Sequence, residues 1–78
     1  MTIKELHGIV RILANQMFVR YYVLLNYPNF PERMGIEFMT NDGKRGWRGG
    51  DRLAAEMDKR GFRFNKSLGV WEIERTEP

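Results

Sequence analysis

The sequence predicts a small α+β domain, ordered α-ββ-α-ββ, with its helices packed on one face of a small antiparallel sheet. Three observations predict it. Ile3, Leu6, Val10, Leu13 and Met17 recur at helical spacing at the start of the chain. Leu53, Ala54 and Met57 form a second, shorter stripe. After each stripe come two segments in which apolar and polar residues alternate, as half-buried strands require. The 78 residues form one domain. A chain this size buries only about 60% of its unfolded surface, so its core is small. There is no cysteine and one histidine, His7, which leaves neither a disulfide nor a thiolate or histidine metal cluster. No cofactor is expected.

The first helix opens on Thr2 and Glu5, the spacing of a capping box in which hydroxyl and carboxylate exchange hydrogen bonds with each other's amides. Ile9 and Ala14 widen its apolar stripe, and Gly8 weakens it by about 1 kcal/mol relative to alanine. Residues 18–25 (FVRYYVLL) are aromatic and β-branched. They read as a strand over residues 19–27 after a break near Asn15 and Gln16. The alternative is one helix running on to Leu25, because Met17, Tyr21, Leu24 and Leu25 continue the stripe. Pro28 and Pro31 then impose an extended loop, and residues 35–40 alternate as the second strand. Asn41, Asp42 and Gly43 signal a turn.

A glycine-rich basic loop follows, KRGWRGG at residues 44–50. Asp51 is placed to cap a second helix over residues 52–60, and Gly61 falls where a left-handed residue closes a helix. Residues 62–65 and 70–74 form the last hairpin, with Phe62, Phe64, Trp71 and Ile73 on one face. Residues 74–78 read as a frayed tail.

Net charge is +3, but it is unevenly placed. Residues 44–66 hold eight basic and three acidic side chains, a local net of +5. This segregation points to a polyanion or an acidic protein surface as partner. The candidate binding residues are Lys44, Arg45, Trp47, Arg48, Arg52, Arg63 and Lys66. The glycines let amides approach an anion next to a helix N-terminus, and Trp47 supplies a stacking face of the kind single strands use. The loop lacks the spacing of a nucleotide-hydrolysing P-loop. The competing structural reading is that Trp47 plugs the core and the glycines only turn the chain. A second candidate surface is the loop Tyr27, Phe30 and Arg33, an aromatic tip of the sort that anchors protein interfaces, including a homodimer. A helix followed by a basic hairpin also outlines a winged helix, but no helix precedes the second one at tight-turn spacing.

Catalysis has little support in the residues. His7 lies beside an apolar stripe, and Ser67, the sole serine, sits in a turn. Glu37, Glu72 and Glu74 are expected to point outward from their strands. No apolar run is long enough for a membrane span and no leader is evident, so a cytoplasmic location is expected.

Residues 51–73, DRLAAEMDKRGFRFNKSLGVWEI, resemble a unit of small phage and plasmid accessory proteins: a helix, then G-F-R-aromatic-Asn, a turn and a Trp-bearing strand. The resemblance implies a mobile-element origin, with the host cytoplasm as setting, and nucleic-acid-related work. It implies structural roles for Gly61, Phe62, Phe64 and Trp71 and exposed positions for Arg63 and Asn65. Two functions follow as expectations: a non-enzymatic nucleic-acid binder, or an inhibitor that blocks a host protein of defence, transcription or replication. A dimeric assembly component is the third.

Overall fold

A computed structural model of the chain describes residues 1–76. Its elements are α1 (Ile3–Gln16), β1 (Tyr21–Asn26), β2 (Arg33–Met39), α2 (Asp51–Lys59), β3 (Arg63–Asn65) and β4 (Val70–Glu74). The expected α-ββ-α-ββ order and antiparallel sheet are present. The segment after α1 is a strand rather than a helical continuation, although it starts at Tyr21 instead of Val19. Among the described residues no helix is long and apolar enough to cross a membrane.

Local chemistry sets both helices. The Thr2 hydroxyl accepts from the Glu5 amide and the Glu5 carboxylate accepts from the Thr2 amide, each at 3.1 Å, so the capping box is complete. Leu6, Val10, Leu13 and Ala14 are buried along one face of α1. In α2, Asp51 is not the cap: Gly50 occupies that position and Asp51 begins the helix, where a carboxylate still complements the helix dipole. Gly61 closes α2 with φ +89°. The Phe62 amide reaches back to the Met57 carbonyl at 3.1 Å and the Gly61 amide to Asp58 at 3.0 Å, a Schellman motif.

The strand order is β1-β2-β4-β3. Each helix-plus-hairpin half therefore meets the other through its second strand. Leu24, Ile36, Trp71 and Phe64 line up by register across all four strands. This row lies in the same core as the buried residues of both helices, which places the helices on one face. The Phe64 and Trp71 rings pack with centroids 5.2 Å apart.

Two expectations are corrected. Residues 74–76 are not frayed. Glu74 ends β4, the Arg75 amide bonds to Glu32 at 2.7 Å, and the Thr76 amide bonds to Met1 at 3.0 Å. The N-terminal ammonium also donates to the Thr76 hydroxyl at 3.0 Å. Backbone pairing between the chain ends supplies the order that the polar sequence did not announce. Residues 77 and 78 of that expected tail lie outside the described residues. Second, Glu37 does not face water. Its strand, β2, is central and buried on both sides, because the loop after it folds back over the face opposite the helices.

Candidate functional site

The glycine-rich loop is pinned at nearly every residue. A turn begins it: the Gly43 amide donates to the Thr40 carbonyl and the Thr40 amide to the Lys44 carbonyl, both at 2.9 Å. The Lys44 amide donates to the Thr40 hydroxyl, which in turn donates to Asp42. Arg45 then clamps Glu37 in a bidentate pair, Nε at 3.1 Å and Nη2 at 2.9 Å, and the Gly46 amide donates to the same carboxylate at 2.9 Å. The Arg45 guanidinium holds the Glu37 carboxyl below its ordinary range, against opposing desolvation, with help from the Gly46 amide.

Next, the Trp47 amide donates to the Phe38 carbonyl at 3.0 Å, extending the ladder on β2 beyond Ile36, where its pairing with β4 stops. The Trp71 indole donates to the Arg48 carbonyl at 2.9 Å from inside the core. Gly46 and Gly69 meet backbone to backbone, and both have positive φ. The loop is thus a rigid platform fastened to β2, β4 and the last turn.

Trp47 serves both readings at once. Its ring packs on the core, yet it also lines a shallow surface depression of about 260 Å³. Met17, Phe18, Gln16, Gly50 and Arg52 share that lining. The end of α1 here meets the start of α2. Gly50 offers no side-chain acceptor to the first-turn amides of α2, so those donors stay available. The volume is below the about 300–1,000 Å³ of drug-sized sites, which suits one ring of a larger partner.

The predicted basic set is divided by the fold. Trp47 and Arg52 are brought together at the depression, and Arg48 follows Trp47 with its side chain exposed and only a 4.0 Å pair to exposed Asp51. Lys44 is exposed in the turn before them, and Lys66 is exposed in the β3–β4 turn whose Gly69 touches Gly46. Arg45 is committed to Glu37. Arg60, also within the basic stretch, pairs with Glu56. Arg63 lies elsewhere. It lines a second cavity with Arg33, Glu72 and Glu74, where register sets Arg63 against Glu72 and Arg33 against Glu74. That cavity mixes the two signs of charge and compensates itself. Asn65 is half-buried rather than exposed: it accepts from the Ser67 and Leu68 amides and donates to Glu72, capping the turn.

The aromatic loop is also split. Phe30 stays half-exposed, with the Arg33 guanidinium 5.4 Å from its ring centre. Tyr27 folds back so that its hydroxyl lies over Gly35, where only a glycine leaves room. That hydroxyl is buried without a well-formed hydrogen bond. Desolvation and the adjacent Glu72 carboxylate push its pKa up to about 12. The neutral phenol is the form the fold favours, so this contribution holds below about pH 10 and is lost as the phenol ionises towards pH 12. Tyr27→Phe is expected to preserve or raise thermal stability at pH 7 and to soften its decline between pH 10 and 12, measured by melts across that range. A large loss at pH 7 would show that the hydroxyl has a partner.

Phe18 is not among the residues the sequence marks as site candidates, and Glu37 reads there only as an outward-facing carboxylate. Phe18 opens an aromatic, β-branched run that reads as strand. The signal that marks it is the end of the α1 stripe at Met17 with no glycine to close the helix. Glu37 looked outward because period-two alternation shows which face a residue takes, not what folds onto that face. His7 is exposed on α1, and Ser67 is held in the turn by Asn65. Against known proteins, the chain matches no family model, no curated protein and no solved structure.

Proposed function

We propose that the chain is a small non-enzymatic nucleic-acid-binding protein acting through the platform of residues 44–52. One observation carries the reading: an indole, a guanidinium and uncapped helix amides share one depression on a loop that cannot collapse. These are the groups that hold a base, a phosphate and a backbone oxygen together. Lys44, Arg48 and Lys66 flank it and extend the positive surface. The mobile-element setting implied by residues 51–73 accords with such a role.

A fluorescence titration with labelled oligonucleotides tests this. With Lys44, Arg48, Arg52 and Lys66 each neutralising a phosphate, the plot of log K against log salt should fall with a slope of about −3 on a single strand. Trp47→Ala should weaken binding about tenfold or more while leaving the salt slope in place. The absence of binding at about 50 mM salt would refute the proposal.

The second reading is an inhibitor of a host protein with an acidic patch. The exposed Phe30–Arg33 stack favours it, since arginine and aromatic pairs anchor interfaces. Capture from host lysate with and without nuclease separates the two: a partner retained after nuclease treatment supports the inhibitor.

A further inference from the structure

Phe18 has no folding reason to be phenylalanine. It adopts φ +56° at the end of α1, the one non-glycine residue with positive φ among those described. The Val19 amide reaches back to the Ala14 carbonyl at 2.9 Å, the same six-to-one bond that Phe62 makes behind Gly61. Both helices of this chain thus close on a six-to-one bond around a left-handed residue. One uses glycine for the left-handed position, as sterics favour, and the other uses a residue whose Cβ resists it.

Burial does not compensate, because Phe18 is 82% exposed. The conformation is held from outside instead. The Asn41 side-chain Nδ2 donates to the Phe18 carbonyl at 3.2 Å, and the Arg20 backbone amide donates to the Asn41 Oδ1 at 3.3 Å. A strained, solvent-facing aromatic kept in place by its surroundings is the signature of a functional position. Its location agrees, since it lines the same depression as Trp47 and Arg52.

We propose that Phe18 and Trp47 are the two aromatic walls of a site for one unstacked nucleobase, so that the ligand is single-stranded rather than duplex. This rests on the nucleic-acid reading above. In a duplex the faces of the bases are stacked on each other and closed to side chains. In single strands they are open to aromatic platforms. Arg52 and the first-turn amides of α2 then meet the adjoining phosphate.

Phe18→Gly separates this role from a structural one because the two readouts move in opposite directions. Relief of the left-handed strain should raise the melting midpoint by about 4–8 °C. Affinity for a fluorescein-labelled dT oligonucleotide should fall about tenfold, the loss of one stacked base. Phe18→Tyr should keep that affinity, and the wild type should bind the matching duplex more weakly than the single strand. A lower melting midpoint for Phe18→Gly would make Phe18 a structural residue and overturn the inference. Unchanged single-strand affinity in Phe18→Gly, with Trp47→Ala still impaired, would also overturn it while leaving the nucleic-acid reading intact. Equal loss on duplex would overturn single-strand selectivity. No binding of either form by the wild type would remove the nucleic-acid reading itself.

Discussion

Gly69→Ala is expected to destabilise the fold and abolish the proposed binding together. A Cβ at this position would lie 2.6 Å from the Gly46 Cα and 3.1 Å from its carbonyl oxygen. Both are backbone atoms, so no side chain can swing away. Gly46 is itself held by Glu37, and its neighbour Trp47 is bonded to Phe38. Gly69 also has φ +68°, which penalises any Cβ. Conformational and steric penalties together are about 2–4 kcal/mol, a large share of the roughly 4–12 kcal/mol expected for a domain of this length. The melting midpoint should fall by about 10–20 °C. Gly8→Ala supplies the contrast. Gly8 lies within α1 with open space around it, so alanine there should stabilise by about 1 kcal/mol. In the Gly8→Ala/Gly69→Ala pair, stability should partly return while oligonucleotide affinity stays low, because the platform remains displaced. Recovery of affinity along with stability would show that the Gly46–Gly69 contact positions nothing.

The second large effect is at Glu37. Its side chain is only 6% exposed and is the hub from which Arg45 and Gly46 hang. Glu37→Gln keeps the shape and removes the charge. Hydrogen bonds to a charged group are worth about 1 kcal/mol more than neutral ones, and several are involved, so the loss at pH 7 should be about 1–2 kcal/mol. The pH dependence has a definite sign. The folded carboxyl titrates below its ordinary value of 4.5, so its contribution is full above that value and is lost as pH falls through the folded one. As pH falls below 4.5 the contribution of the wild-type carboxylate is progressively lost, so the gap between the two proteins should narrow. Urea unfolding at pH 7 and at pH 3 measures both gaps. A gap of equal size at the two values would mean that the charge of the pair contributes nothing.

The division between what was legible in the residues and what was not follows one physical line. The capping box at Thr2 and Glu5, the stripe of α1, the turn at residues 41–43, the left-handed Gly61 and the alternation of β4 are all short-range. Each is decided by neighbours within about one turn of chain. These sufficed for the fold class and for the order of elements. They also marked the 44–50 loop as unusual, because glycine, arginine and tryptophan in one short run have few structural uses.

Other features depended on pairing between residues far apart in sequence. Arg63 belongs to the same basic stretch as Arg52, yet β3 lies at the sheet edge and sets it against Glu72, away from the loop. Asn65 reads as an exposed strand residue but serves the turn that follows it. Tyr27 and Phe30 look like one tip, and only the space over Gly35 separates them.

By itself, then, the sequence determined an α+β domain of two helix-hairpin halves, with its positive charge gathered in the second. Tertiary structure alone decided the pairing of β2 with β4, the burial of Glu37 beneath a returning loop, and the meeting of Phe18 with Trp47. The reason is that periodicity assigns each residue a face without naming what will cover it. A loop of residues 44–50 and a helix end at residue 18 share no local pattern, and only the closed core brings them to one depression.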